Sequence, residues 1–233
     1  MNSVRNDFAT RKSEAEKFIK YIDDLENLER PRSDTYISLF PDLDLLALKT
    51  TLKASCCLIL YNIVESTTTN CLNKIHERII ADNLYYSQLN VHIQKILLTY
   101  YENASCQNSD ITKNIDYKFE LIELVENRRH IDITFLMLSQ YYQMYSGNLD
   151  GKQIRNILKR YDIIFETKCS QLKTIKDNRN KLAHGEMSFE EIGRELSVQQ
   201  IVSLKDKIFE YLEGLIQKVE DYLSTKKYKQ NDL

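Results

Sequence analysis

The stretch Leu58-Ile59-Leu60-Tyr61-Asn62-Ile63-Val64-Glu65-Ser66 lies inside a long run that contains neither Gly nor Pro. It is apolar almost all round a helix of 3.6 residues per turn, a pattern typical of a helix buried on every side. Apolar residues continue the pattern in steps of three or four residues on both sides of it: Leu45, Leu48, Leu52, Cys56, Cys71, Ile75 and Ile79. The stretch therefore predicts a long central core helix over about residues 43–82.

The rest of the chain is also poor in helix breakers, with 5 Gly and 2 Pro among 233 residues. Helical periodicity predicts further helices over 3–28, 91–101, 119–125, 131–145, 152–161, 169–184, 187–193 and 198–225, with loops over 103–114 and 146–151. A proline-containing break over 31–34 and a short segment over 35–40 precede the long helix. We expect an all-α, single-domain helical bundle over 1–233 with about six to nine helices. Residues 1–30 hold its N-terminal helix and 226–233 form a frayed tail.

Charge and cysteine content narrow the classes of function. The formal net charge of −2 argues against a broad basic nucleic-acid platform, but it leaves room for a small pocket that binds one or two phosphates. The 5 Cys are odd in number and lack a Cys-x-x-Cys spacing, so buried free thiols are favoured over a metal site. No signal peptide and no apolar run of membrane-spanning length is recognised, which predicts a cytoplasmic protein without a membrane partner.

The chemistry-bearing residues are concentrated in Lys176-Asp177-Asn178-Arg179-Asn180-Lys181-Leu182-Ala183-His184-Gly185. Gly185 stands where a left-handed residue would end a helix. Arg179, Asn180 and His184 then offer a cation, an amide and a titratable imidazole near one helix end. Arg binds phosphate oxygens with two donors, and His can donate or accept a proton near neutral pH. These three side chains are suited to bind a phosphate ester. We expect neither a metal nor a cofactor, because the sequence shows no acidic cluster and no glycine-rich phosphate loop.

Metal-free RNA cleavage requires a base for the 2′-hydroxyl proton, an acid for the leaving 5′-oxygen and a cation for the negative charge of the phosphorane. One His cannot easily be both acid and base. A second copy of the chain, facing the first across a two-fold axis, would complete the set. We therefore expect a homodimer whose interface includes the helix that carries Arg179 and His184.

Two further groups of polar residues have open interpretations. Asn62 and Glu65 interrupt the apolar core helix. In one interpretation they face solvent or form local hydrogen bonds; in the other they orient the Arg/His cluster. Lys152, Arg155 and Lys159 share one face of a predicted helix, together with Arg160. This face is either solvated or contacts the RNA backbone.

The run Arg179-Asn180-Lys181-Leu182-Ala183-His184-Gly185 resembles the Arg-polar-(several residues)-His motif of the HEPN superfamily of all-α, nucleic-acid-associated domains. Together with the core-helix stretch Leu60–Ser66 and with Ser146-Gly147-Asn148-Leu149-Asp150, it resembles the MAE-type branch of HEPN-like nucleases from bacterial conflict systems. These stretches are spread over about the last three-quarters of the chain.

The resemblance implies a dimeric helical bundle with metal-independent endoribonuclease activity, acting on RNA in a toxin–antitoxin or phage-defence system beside an antitoxin or defence partner protein. It implies that Arg179 and His184 are catalytic and that Asn180 supports them, with Lys181 beside it. HEPN toxins that are silenced by AMP transfer carry Tyr two residues after the His. Here Glu186 holds that position, so this control is not implied. The alternatives are a non-catalytic HEPN-like module that binds a partner or a nucleotide, and a purely structural helical adaptor.

Overall fold

The computed structural model describes residues 1–27, 44–107, 111–145 and 147–230. These residues form nine α-helices and a 3₁₀ turn at Tyr86–Gln88, and the described part of the chain contains no strand beyond a single bridge between Leu89 and Lys229. The helices are α1 (Asn2–Asn27), α2 (Leu45–Ala81), α3 (Val91–Gln107), α4 (Ile111–Val125), α5 (Phe135–Tyr141), α6 (Gly151–Arg160), α7 (Gln171–Ala183), α8 (Phe189–Glu195) and α9 (Val198–Ser224). The all-α prediction is confirmed.

Two predicted boundaries are wrong. The polar loop expected over 103–114 is mostly helix, because α3 continues to Gln107 and α4 begins at Ile111. Ala104 is fully buried, and its packing extends α3 through a polar sequence. The helix expected over 131–145 is confined to α5, where the Thr134 hydroxyl accepts a hydrogen bond from the Met137 amide and starts the helix late. The predicted break and segment over 31–40 lie outside the described residues.

The chain divides into two compact units. Unit 1 comprises Met1–Val4, Thr67–Thr167 and Glu213–Leu233, and unit 2 comprises Arg5–Ser66 and Lys168–Leu212. Each of the helices α1, α2 and α9 contributes residues to both units. A single domain over 1–233 therefore stays a prediction.

Unit 2 contains an apolar core built from three helices. Its buried cluster is drawn from α1, α2 and α9: Ile19, Ile22, Cys56, Val198 and Ile201. α8 approaches α2 so closely at Gly193 that a β-carbon there would lie 1.9 Å from the Thr50 carbonyl oxygen. The capping box predicted for α8 is confirmed, since Ser188 and Glu191 bond reciprocally at its start.

α2 is the long core helix that the sequence predicts. Leu60, Tyr61, Ile63 and Val64 are each at most 2% exposed. By length and composition α2 is also apolar enough to cross a membrane, a test that the core helix of a soluble protein passes as well. The burial of its middle residues identifies it here as a helix packed inside the protein.

Unit 1 contains a fully buried imidazole with two hydrogen bonds. His76 Nδ1 lies 2.9 Å from the Ile133 carbonyl oxygen, which can only accept, so Nδ1 carries the proton. Nε2 therefore accepts from the Tyr161 hydroxyl, also at 2.9 Å. Burial lowers the pKa of His76 to about 4, and the bond to Ile133 opposes this only in part. His76 is a neutral structural residue at physiological pH.

The predicted frayed tail is wrong for residues 226–230. Tyr228 is completely buried, and its hydroxyl donates to Asp82 Oδ2 at 2.8 Å. The Lys229 ammonium forms an ion pair with the same carboxylate at 2.9 Å. The prediction of buried thiols holds for Cys56, Cys57 and Cys71, whereas Cys106 is exposed and Cys169 is half-buried.

Candidate active site on α7

α7 belongs to unit 2 and has one apolar, buried edge. Leu172 and Ile175 are fully buried, whereas Lys173 and Thr174 face solvent. The helix carries four basic residues (Lys173, Lys176, Arg179 and Lys181) against the single acidic residue Asp177. Carbonyl oxygens give a helix C-terminus a partial negative charge that repels anions. The cations are therefore needed if a phosphate is to bind at this end.

The end of α7 is a Schellman motif, and Gly185 is its left-handed C′ residue, as its position predicts. Gly185 has a φ of +68°, and its amide donates to the Leu182 carbonyl at 3.3 Å. The Glu186 amide donates to the Lys181 carbonyl at 2.9 Å. These are the two bonds that define the motif. It turns the chain sharply away immediately after His184, which is the C-cap residue.

His184 is exposed at this helix end. Its amide donates to the Asn180 carbonyl at 2.9 Å, which fixes the backbone. Within residues 1–27, 44–107, 111–145 and 147–230, no hydrogen bond or ion pair involves its imidazole. Both ring nitrogens can therefore exchange protons with a bound molecule, as an acid or base requires.

Arg179 is held in place by two neighbours. Its guanidinium carbon lies 5.1 Å from the centre of the Tyr61 ring, which is a cation–π contact with a fully buried aromatic residue. Its Nη1 donates to Asn180 Oδ1 at 3.1 Å. A guanidinium has five N–H donors, so these contacts orient it and leave donors for phosphate oxygens. The bond to Asn180 gives the predicted supporting residue a direct contact with the cation.

A second contact between α2 and α7 lies beside the first. The Asn178 side-chain amide donates to the Cys57 sulfur at 3.7 Å. Burial raises the pKa of the Cys57 thiol, and the bond from Asn178 partly opposes that rise. Burial likewise raises the pKa of Cys56 to about 12. Both thiols stay protonated at neutral pH, so they pack in the core and are not nucleophiles.

The remaining predicted site residues of unit 2 lie near these contacts without joining them. Asn62 is exposed, which agrees with the solvent-facing alternative. Glu65 is half-buried and stands one helical turn, about 6 Å, beyond Tyr61 on the same face of α2. Among the described residues, no hydrogen bond or ion pair links Asn62, Glu65 or Lys181 to Arg179 or His184. Their supporting roles stay predictions.

Tyr61 is the residue of this site that sequence reasoning missed. It stands within the quoted core-helix stretch, but an aromatic residue in an apolar helix indicates only burial. Cys57 and Tyr61 lie four residues apart on one face of α2, but this spacing does not show which helix that face contacts.

The three predicted RNA-backbone residues lie on α6, in unit 1. Lys152 and Lys159 are exposed. Arg155 is half-buried, and its Nη1 donates to the Thr167 carbonyl oxygen at 3.2 Å, so part of its guanidinium is used to hold the chain after α6. Asp150 caps the helix by accepting from the Lys152 and Gln153 amides at 3.0 and 2.9 Å.

Comparison with known proteins gives one family match. A sequence model of MAE_28990-like HEPN proteins matches residues 2–228. No curated protein matches the chain, and no solved structure matches it. The match covers all of unit 2, including α7 and its Arg/His motif, and nearly all of unit 1.

Proposed function

Because the chain belongs to the MAE_28990-like HEPN family, we propose that it is a metal-independent endoribonuclease that cleaves RNA with Arg179 and His184. The observation that supports this most is the difference between the two side chains. Arg179 is oriented by Tyr61 and Asn180, whereas the His184 imidazole is exposed at the helix end. An oriented cation and an exposed imidazole on one helix end supply two of the groups that phosphate transesterification requires.

The reaction runs without an external reactant. The 2′-hydroxyl oxygen attacks the adjacent phosphorus, and an imidazole takes its proton. The bond from phosphorus to the 5′-oxygen breaks, and a protonated imidazole gives that oxygen a proton. The guanidinium of Arg179 binds the non-bridging oxygens and stabilises the added charge of the phosphorane. The products carry a 2′,3′-cyclic phosphate and a 5′-hydroxyl.

The proposed enzyme is a homodimer. One His184 acts as base while the His184 of a second copy acts as acid, so neither protomer completes the site alone. We place the protein in the cytoplasm of a bacterium, in a toxin–antitoxin or phage-defence system in which an antitoxin or defence partner protein restrains it. A monomer at high micromolar concentration in sedimentation equilibrium would contradict the composite site.

The test is cleavage of several RNAs by the wild-type protein and by His184→Ala and Arg179→Ala, each with and without EDTA. We expect either substitution to lower the rate by about 10²–10⁴-fold and EDTA to have no effect. His92→Ala and Arg194→Ala are matched controls, because they remove the same side-chain types elsewhere and should keep full activity. Metal-dependent cleavage that survives His184→Ala would refute the mechanism.

A second candidate function is a binding module without catalysis. The half-buried contact of Arg179 with Tyr61 favours it, because such a contact also stabilises a fold. In that case wild-type protein cleaves no RNA, and Arg179→Ala weakens partner binding and lowers the melting temperature. His184→Ala should leave the melting temperature unchanged under both functions, because the side chain is exposed and unpaired among the described residues.

A further inference from the structure

α6 concentrates positive charge in unit 1. Its ten residues include four basic ones (Lys152, Arg155, Lys159 and Arg160) and no acidic one. The whole chain, in contrast, has 34 acidic and 32 basic residues. Lys152, Lys159 and Arg160 are exposed, so their charges are directed to solvent or to a ligand.

A cavity of about 320 Å³ opens beside this charged face. Three side-chain amides line it, from Gln143, Gln153 and Asn156, and the buried side chains of Met144 and Ile157 form its apolar part. None of the described residues that line it is acidic. Each amide offers both a donor and an acceptor, as the edges of nucleobases do. Ligand pockets span roughly 300–1,000 Å³, so this one takes a single nucleotide-sized group.

Arg160 joins the charged face to the cavity. It lines the cavity, and its guanidinium carbon lies 5.2 Å from the centre of the Tyr142 ring. The ring contacts the guanidinium, which is a flat, charged group. Unpaired RNA bases stack on arginine planes of this kind.

From these three features we infer that the α6 face binds one unpaired nucleotide of single-stranded RNA. The base stacks on the Arg160 guanidinium and its edge bonds to the amides of Gln153 and Asn156. Lys152 and Lys159 bind the flanking phosphates. The choice of RNA as ligand rests on the proposed function. The amide-lined cavity favours RNA over an acidic peptide, because a base edge bonds to amides whereas the carboxylates of a peptide would bind to the cations alone.

The test measures binding of fluorescent single-stranded RNA to the full chain carrying His184→Ala, so that cleavage does not interfere. Arg160→Lys keeps the charge but removes the flat surface, and we expect it to weaken binding at least about fivefold with an unchanged salt dependence. Lys152→Gln/Lys159→Gln removes two phosphate contacts, and the slope of log affinity against log salt should fall by about 1.4.

The controls change the same side-chain types elsewhere in unit 1. Lys95→Gln/Lys118→Gln removes two exposed lysines, and Arg128→Lys changes an exposed arginine. Both should bind like the parent protein. Thermal melts verify that every variant folds.

Parent-like affinity and salt dependence in both α6 variants would overturn the inference, and so would equal competition by a polyglutamate peptide of matched charge. Failure of the α6 site and failure of the nuclease proposal give different results. Loss of binding in the α6 variants supports the α6 site even if wild-type protein cleaves no RNA. Cleavage by wild-type protein with undisturbed binding in those variants would refute only the α6 site.

Discussion

Acid should destabilise the protein through His76. The imidazole is fully buried and its Nδ1–H donates to the Ile133 carbonyl, while its Nε2 accepts from Tyr161. Protonation of Nε2 turns this acceptor into a donor, so the Tyr161 hydroxyl must reverse. The one nearby acceptor to which that hydroxyl then donates is the weak Met144 sulfur, 3.6 Å away in the described structure. His76 therefore binds a proton less readily in the folded protein than in the unfolded chain.

The size of the effect follows from the two pKa values. Burial lowers the pKa from 6.5 to about 4 in the folded protein. Below pH 6.5 the unfolded state binds more protons than the folded state, so the free energy of unfolding falls as the pH falls. Each pH unit in this interval costs about 1.36 kcal/mol, and the full loss is roughly 3 kcal/mol. About 2 kcal/mol of it should be lost between neutral pH and about pH 5.

Urea unfolding followed by circular dichroism, at a series of pH values, measures this loss. His76→Gln does not titrate, so its free energy of unfolding should fall by about 2 kcal/mol less than that of wild type between neutral pH and about pH 5. His92→Gln removes a partly exposed imidazole and is the matched control for loss of a histidine. Identical pH dependence in wild type and His76→Gln would refute the reasoning.

Three further predictions concern substitutions of Gly193, Gly185 and Tyr61 in unit 2. Gly193→Ala should lower the free energy of unfolding by more than about 2 kcal/mol in urea titrations, because its β-carbon would overlap the Thr50 backbone. Gly214→Ala is the control: the nearest atom to its β-carbon is 3.7 Å away, so the free energy of unfolding should stay unchanged or rise by up to about 1 kcal/mol. Gly185→Ala should lower the free energy of unfolding by about 1 kcal/mol and slow RNA cleavage, because a φ of +68° strains an L-residue at the C′ position beside His184. Gly185→Asn should have a smaller effect in both assays, because Asn tolerates the left-handed conformation better. Tyr61→Leu should lower the cleavage rate more than Tyr61→Phe, since only the phenyl ring retains the surface beneath Arg179; equal rates in the two variants would contradict that role.

Features with a local cause were predictable from sequence. The capping box of Ser188 and Glu191 and the left-handed Gly185 are set by residues within one helical turn, and both occur as predicted. The core-helix stretch of α2 was recognisable because its apolar residues recur over a long run that contains no Gly and no Pro. All three depend on spacing, which a sequence shows directly.

Features that depend on distant residues were not predictable. Ala104 lies in a polar stretch, and only its complete burial explains why α3 continues past it. Tyr228 is separated from Asp82 by 146 residues, and nothing in the C-terminal sequence indicates their hydrogen bond. The contact of Arg179 with Tyr61 joins helices far apart in the chain in the same way. The predicted catalytic pair could be named from its motif, but the ring that orients Arg179 could not.

The two units are built from chain segments that alternate along the sequence, and this order limits which gene segments can encode one unit alone. The polypeptide passes between the units after Val4, Ser66, Thr167 and Leu212, and three of these four passages fall inside helices α1, α2 and α9. No single uninterrupted gene fragment encodes all of one unit and none of the other. A premature stop codon before Leu212 removes residues from both units at once. Exchange of one continuous gene segment therefore cannot replace a complete unit without also replacing residues of the other.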